Sequence, residues 1–280
     1  DERFGDQVLP YDPQVARRQQ AEVDEEGQET TKTWKPANHG RSYGGEVIVR
    51  TALVRSLNIP AVRIIEDIGV PFSTEYAQRL GIFSPLNPDY TLALGSSSVT
   101  LYEMPKAFSN VGRLGKRTRP LLIKKVPDSS GKVLLENVSL DARFEKEITP
   151  LDTKFEERRK LYLSTKATET EATPAPTPAE KAKDKSIDSH IFFPDPDQLI
   201  SPQTAYLLTS LLKGVVEDRN GTGGKALALG REVAGKTGTT NGYFDGWFVG
   251  YTAQISTGVW VGYDKEKTLG RGEVGGKAAL

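Results

Sequence analysis

The sequence predicts an α+β fold in which a helical layer packs on an antiparallel sheet. Apolar residues recur at helical spacing in the segments 47–57 and 202–218, so each segment predicts a helix with one buried face. Near the C-terminus, two runs of aromatic and β-branched residues, 245–252 and 255–263, indicate an antiparallel meander. Helices followed by such a meander are typical of the α+β class.

Two helices are predicted to meet at a tight junction in the first third of the chain. The first ends near Leu57, Pro60 suits the first turn of the second, and Gly69 suits its end. The triplet Ser56-Leu57-Asn58 therefore falls between the two helices, where short polar side chains can point into a cleft.

Two further helix starts are marked by capping residues. Thr100 and Glu103 are spaced as a capping box, and the helix that they open is expected to end near Gly112. A serine followed by a proline at 201–202 opens the long helix that runs to about 218.

One segment, at about 138–197, differs in composition from the rest of the chain. Its residues 165–185 consist almost entirely of Thr, Ala, Pro, Glu and Lys, which bury too little apolar surface to offset the entropy of ordering. We expect a disordered or mobile insertion within one domain that extends over 1–280, and a domain boundary here is the alternative. The polar stretch 14–32 is expected to be a solvated loop or helix.

Composition excludes several classes of function. Lys plus Arg and Asp plus Glu both number 37, so no basic excess points to nucleic acid. The chain has no cysteine and only two histidines, which argues against thiol chemistry, a zinc site or a Ser-His-Asp triad, and we expect neither metal nor cofactor. No apolar run reaches the length of a membrane span.

The segment Gly235-Lys236-Thr237-Gly238-Thr239 combines a cation and hydroxyls with glycines, a composition that can hold an anion. With Gly230 it matches the string of a phosphate-binding loop, and residues 226–229 could be the strand that such a loop follows. That loop also requires a helix to begin after the lysine, whereas residues 238–242 are turn formers and β-branched residues. A nucleotide-binding protein is therefore the less favoured alternative.

Lys-Thr-Gly is also one element of the signature of penicillin-interacting enzymes, and Ser-x-Asn is another. Ser56-Leu57-Asn58 supplies the second element upstream of Lys236. Around these motifs the chain resembles the transpeptidase domain of class A penicillin-binding proteins. The stretches that carry the resemblance, in chain order, are Trp34-Lys35-Pro36-Ala37-Asn38, 52–63, 93–100, 200–206 and 234–250.

The resemblance implies a penicillin-binding, β-lactamase-like fold, incomplete at both ends, and a peptidoglycan D,D-transpeptidase. In such enzymes an activated serine attacks a D-Ala-D-Ala stem peptide and passes the acyl group to an amine of a neighbouring strand. By resemblance Ser56, Asn58 and Lys236 are catalytic, and Thr237, Gly238 and Thr239 bind substrate. The hydroxyls of the two threonines would donate to the substrate carboxylate, and the N–H of Thr239 would complete the oxyanion hole.

Further roles implied for the motif residues concern proton transfer and specificity. Ser56 would relay a proton toward the leaving or attacking nitrogen, and Asn58 would hydrogen-bond the substrate amide and orient the lysine of Ser-x-x-Lys. Leu57 stands where β-lactamases carry aspartate, which favours a synthase. Trp247, Phe248 and Tyr251 are expected to be core residues.

The expected nucleophile, the serine of Ser-x-x-Lys, has no match before Ser56. Two downstream strings match, Ser129-Ser130-Gly131-Lys132 and Ser210-Leu211-Leu212-Lys213, but the first is predicted to be a turn and the second the middle of a helix. We therefore expect a fragment that begins just after its nucleophile and is inactive alone, from a bifunctional parent with an upstream glycosyltransferase. A non-catalytic domain that binds wall peptides or proteins is the alternative.

The resemblance also implies partners and a location. We expect peptidoglycan stem peptides as substrates, β-lactams as inhibitors and cell-wall synthesis proteins as partners. The site would face the periplasm, with membrane attachment only through an anchor outside these residues.

Overall fold

The computed structural model describes residues 8–9, 18–23, 29–34, 36–38, 45–172 and 191–280. The helices within them are α1 Val49–Val54, α2 Asn58–Ile68, α3 Val70–Arg79, α4 Glu103–Gly112, α5 Glu145–Ala172, α6 Pro202–Glu217 and α7 Gly275–Ala278. The strands are β1 Val8–Leu9, β2 Arg18–Val23, β3 Glu29–Trp34, β4 Val47–Ile48, β5 Leu121–Pro127, β6 Val133–Ser139, β7 Ala234–Thr239, β8 Asp245–Tyr251 and β9 Ser256–Gly262.

The predicted α+β class is confirmed. Strands β7, β8 and β9 form an antiparallel meander in that order. Helices α4 and α6 pack against each other and against this meander, and α1 packs on α6. Three further two-stranded sheets pair β1 with β4, β2 with β3, and β5 with β6. The described helices include none that is long and apolar enough to cross a membrane.

Helix α6 is the centre of the core. Its residues Ala205 and Val215 are fully buried, and its two ends contribute to two apolar clusters with residues of β7 and β8. Arg50 of α1 donates to the carbonyl and the hydroxyl oxygens of Ser210 on α6 (3.2 and 3.3 Å). Because α6 contacts both α1 and β7, it fixes the end of α1 beside β7.

The predicted caps are confirmed. The amide of Thr100 donates to the carboxylate of Glu103 (2.6 Å), and the amide of Glu103 donates to the hydroxyl of Thr100 (3.2 Å), which is the reciprocal pattern of a capping box. Burial opposes ionisation of the Glu103 carboxyl, but hydrogen bonds from Ser84 and Thr100 outweigh this effect and hold its pKa below the ordinary value. Ser201 caps α6 by accepting from the amide of Thr204 (3.1 Å).

The structure differs from the expectation of disorder over part of the segment 138–197. Residues 145–172 form α5, and Phe155 packs against Ile191 and Phe192 beyond the segment's centre, all three being almost fully buried. The sequence did not predict the buried face of α5, because its apolar residues are few and widely spaced among many charged ones. Residues 173–190 lie outside the described residues, and the extent of the domain stays a prediction.

The expectation for the polar stretch 14–32 is wrong where the structure describes it. Strand β2 pairs antiparallel with β3, in a register from Arg18 opposite Trp34 to Val23 opposite Glu29. Three threonines in β3 are β-branched residues that favour an extended backbone, and the charge of the stretch concealed this preference.

Candidate active site

Ser56 lies at the junction between α1 and α2, as predicted. Helix α1 ends in a Schellman motif: the amide of Ser56 donates to the carbonyl of Leu53 (3.1 Å), and the amide of Leu57 donates to that of Ala52 (2.9 Å). The motif requires a left-handed residue, which is Ser56 with φ of 55°. Glycine is the usual residue there, so a serine is held in a strained conformation that is typical of functional sites.

Lys236 on β7 reaches this junction across 180 residues of sequence. Its Nζ donates to the Oγ of Ser56 (2.7 Å) and to the carbonyl oxygen of Thr237 (2.8 Å). Among the residues that the structure describes, no carboxylate forms an ion pair with it, and burial lowers the pKa of Lys236 to about 8. As far as the described residues show, the site therefore contains a largely buried cation without a counter-charge, which favours an anionic ligand.

Asn58 is placed at the first position of α2 but is not hydrogen-bonded to Ser56 or Lys236 within the described residues. Its amide nitrogen donates to the carbonyl oxygen of Ala37 (2.7 Å). The neighbouring Asn38 is buried and accepts from the amide of Ile59 (3.2 Å). The segment 36–38 thus braces the start of α2, and this contact fixes the orientation of the Asn58 side chain.

Strand β7 is an edge of the three-stranded sheet in the described part of the chain. The amide of Thr240 donates to the carbonyl of Asp245, and ladder bonds alternate in antiparallel pairs, so the backbone groups of Thr237 and Thr239 point away from β8. The bond from Lys236 Nζ to the Thr237 carbonyl agrees with this direction. The N–H of Thr239 therefore points toward the same side of β7, as an oxyanion-hole donor would require.

The threonine hydroxyls of β7 have partners that sequence reasoning missed. The Oγ1 of Thr237, a buried residue, lies 2.6 Å from the Oγ1 of Thr222, a residue shortly after the end of α6. The Oγ1 of the exposed Thr239 accepts from the amide of Gly275 (2.9 Å). The glycines beside Thr222 and at Gly275 are the sequence features that could have indicated these contacts, because close approach of two backbones requires glycine.

The phosphate-loop alternative is wrong. Residues 226–229, the proposed strand, lie in the 3-10 helix Gly224–Leu229, and the chain continues after Lys236 as strand β7 instead of opening a helix. A phosphate cradle needs the amides of a helix N-terminus at that place.

The two Ser-x-x-Lys strings are also explained without catalysis. Ser129 and Ser130 lie in the turn between β5 and β6, where the carboxylate of Asp128 accepts from the amide of Ser130 (2.8 Å). Ser210 lies in the middle of α6, and Lys213 donates to the carboxylate of Glu232 (2.7 Å). Within the described ranges, no group of three or more potential ligands could hold a metal ion.

Comparison with known proteins decides the family. The family model of the penicillin-binding protein transpeptidase domain matches residues 11–273 of this chain. The chain belongs to this family. Penicillin-binding protein 1A of Pseudomonas aeruginosa is 34% identical in an alignment of 263 residues that covers 89% of this chain and 30% of that protein. Penicillin-binding protein 1A of Aquifex aeolicus is 30% identical over 88% of this chain and 26% of that protein.

Solved structures agree with the family assignment. The crystal structure of penicillin-binding protein 1A from Haemophilus influenzae matches with a TM-score of 0.64 and 26% identity, covering 98% of this chain and 37% of that chain. PonA1 from Mycobacterium tuberculosis in complex with penicillin V shares the fold, with a TM-score of 0.58, 22% identity and coverage of 86% and 56%. This transpeptidase domain therefore spans about a third or less of the curated relatives it matches.

Proposed function

We propose that this transpeptidase domain carries one wall of a D,D-transpeptidase site that acts on D-Ala-D-Ala stem peptides of peptidoglycan. The observation that carries the proposal is the 2.7 Å bond between Lys236 and Ser56, which joins the two family motifs around a largely buried cation that has no carboxylate partner among the described residues. The terminal carboxylate of the donor peptide would supply the missing counter-charge. A β-lactam carries a carboxylate at the corresponding place, so the same cation would attract it.

The proposed reaction proceeds in two acyl transfers. A serine oxygen attacks the carbonyl carbon of the penultimate D-alanine, and the C–N bond to the last D-alanine breaks as its nitrogen takes a proton. An amine of a neighbouring strand then attacks the ester and displaces the serine oxygen, which regains a proton. The printed chain has no Ser-x-x-Lys before Ser56, and the location of the nucleophile outside these residues stays a prediction.

Lys236 and Ser56 are suited to the proton transfers of these steps. General acids and bases work best when their pKa lies near the working pH, and burial brings the pKa of Lys236 to about 8. Its ammonium donates to Ser56 Oγ, so the Ser56 hydroxyl hydrogen is free to be donated to the leaving nitrogen. When the acceptor amine attacks in the second step, the pair would take up a proton from the nitrogen of that amine.

Residues of β7 would bind the donor peptide. We assign the hydroxyls of Thr237 and Thr239 as donors to its carboxylate, and the N–H of Thr239 as a donor to the oxyanion. The backbone direction of Thr239 at the sheet edge supports the assignment of its N–H. Gly238 lies between them, where an added Cβ would lie 3.1 Å from the Cβ of Trp247, and we assign it to the substrate-binding segment with the two threonines. Asn58 would contact the substrate amide.

The reaction is placed outside the cytoplasm, where peptidoglycan is cross-linked, at the periplasmic face of the cytoplasmic membrane. The relatives are named as penicillin-binding proteins, which supports β-lactams as inhibitors of this chain. Other proteins of cell-wall synthesis are proposed as partners.

Labelling with fluorescent penicillin tests the proposal. The longest native polypeptide that contains residues 1–280 should be labelled, and Ser56→Ala and Lys236→Ala should each slow labelling by about 100-fold or more. The matched controls Ser210→Ala and Lys213→Ala, from the string in α6, should leave the rate unchanged. Unchanged labelling of the Lys236 variant would refute the assigned site.

Two further outcomes separate the alternatives. Residues 1–280 alone are expected to remain unlabelled, and labelling there would show that the nucleophile lies within them. If the native polypeptide binds a D-Ala-D-Ala peptide but is never labelled, the non-catalytic wall-binding alternative is correct.

A further inference from the structure

Thr222 follows helix α6 and is held in place from two sides. The amide of Gly223 donates to the carbonyl of Val215 near the end of α6 (2.9 Å), which fixes the turn to the helix. On the other side, a Cβ added to Gly276 would lie 2.3 Å from the Thr222 carbonyl oxygen. The backbone of α7 therefore packs directly against the turn, with no room for a side chain at this position. Lys225 donates to the carbonyl of Lys277 (2.9 Å) and closes this contact.

The same C-terminal segment also holds β7. Gly275 donates its amide to the hydroxyl of Thr239 (2.9 Å), and a Cβ there would lie 2.1 Å from the carbonyl oxygen of Gly238. The turn, α7 and β7 therefore pack closely against one another, and these backbone contacts bring the hydroxyl oxygens of Thr222 and Thr237 to 2.6 Å. The contact is a built feature of the fold and not a chance approach of flexible side chains.

Two hydroxyls in contact have two hydrogens but use only one of them for their mutual bond. If Thr222 donates, the hydrogen of Thr237 remains free, and Thr237 lies beside Lys236 on the strand. A hydroxyl that accepts one hydrogen bond is polarised and donates a stronger second one. Without the partner, the Thr237 hydroxyl can rotate toward other acceptors.

We propose that Thr222 is a positioning residue for carboxylate recognition, because it directs the hydroxyl hydrogen of Thr237 toward the ligand carboxylate. Thr222 itself does not touch the ligand. The inference rests on the proposed function and deepens it, since it makes the carboxylate, and not the acyl carbonyl, the group whose binding depends on Thr222.

The experiment compares a penicillin that has its free carboxylate with the methyl ester of the same penicillin, on the native polypeptide. Thr222→Val keeps the shape of the side chain and removes its hydroxyl. It should lower the second-order acylation rate constant of the free acid about three- to tenfold, the effect of one lost hydrogen bond, and change that of the ester less than twofold. Thr222→Ser should restore the rate with the free acid.

The acid-to-ester ratio is internal to each variant, so partial unfolding of Thr222→Val does not change it. Thr209→Val is the matched control, because its hydroxyl also bonds another hydroxyl, that of Tyr251 (2.8 Å), and neither residue belongs to the segment 236–239. An unchanged ratio in Thr222→Val would overturn the positioning role, even if both rates fall. If the wild-type polypeptide is acylated by neither penicillin, the proposed function itself fails.

Discussion

Replacing Lys236 by methionine is expected to stabilise the folded protein at neutral pH, although it removes a proposed catalytic group. The lysine is largely buried beside Ser56 with no carboxylate partner in the described part of the chain, and folding therefore opposes its charge. Methionine has a similar length and no charge, so it fills the same space without that cost.

The magnitude follows from the pKa of Lys236, which burial lowers from 10.5 to about 8. At about 1.4 kcal/mol per pH unit, this difference costs about 3 kcal/mol of the free energy of unfolding. The two hydrogen bonds that Nζ donates are lost in the variant, at about 1 kcal/mol each. The net gain at pH 7 is then about 1–2 kcal/mol.

The sign of the pH dependence is fixed by linkage. The folded state binds the Lys236 proton less tightly than the unfolded state, so the cost is fully present below pH 8 and disappears as the pH rises from 8 to 10.5. Relative to wild type, the stability of the methionine variant should therefore fall by about 3 kcal/mol between pH 7 and 10.5, so that its advantage becomes a disadvantage of about 1–2 kcal/mol.

Urea denaturation of both proteins across this pH range measures the difference directly. Lys213→Met is the contrasting control, because the hydrogen bond to Glu232 raises the pKa of Lys213 and its loss should destabilise the protein at neutral pH. Parallel stability curves for wild type and the Lys236 variant would refute the claim that this lysine is buried without a counter-charge.

Three other substitutions test the fold around the site. Ser56→Gly should be about 1 kcal/mol more stable than Ser56→Ala, because glycine adopts the left-handed backbone without strain; equal stabilities by urea denaturation would contradict this strain. Glu103→Gln should lose about 2–3 kcal/mol at pH 7, since an amide cannot accept all the donors around it. Because the pKa of Glu103 is lowered, that loss should fade as pH falls below about 4.5, which acid titration of both proteins checks. Phe155→Ala should cost about 3–5 kcal/mol and the exposed Leu161→Ala less than about 0.5; a small cost for Phe155→Ala would mean that α5 is not packed.

Local patterns predicted the scaffold of the site well. The reciprocal bonds of Thr100 and Glu103, the serine cap of α6 and the terminal meander are short-range features that residue spacing encodes. The junction at Ser56 was also predicted, because Pro60 and Gly69 mark the second helix independently of tertiary contacts. The family motifs then placed Lys236 opposite it.

Contacts between residues far apart in the chain could not be predicted from the sequence patterns. The contact between Thr222 and Thr237 could not be predicted, because it depends on how α7 packs against both the turn and β7. Lys236 has no carboxylate partner among the described residues. This too depends on which residues the fold brings near its side chain, and not on its neighbours in sequence. The packed part of α5 was missed since Phe155 finds its partners about 36 residues further along the chain.

A double-mutant cycle on penicillin acylation tests the central claim that Ser56 and Lys236 act as one unit. The rate constants of the native polypeptide, Ser56→Ala, Lys236→Ala and the double variant are measured with the same penicillin. If the 2.7 Å bond joins one proton-transfer device, each single substitution removes it, and the double variant is about as slow as the slower single one. Two losses that multiply in the double variant would show that the residues act independently and would contradict the account.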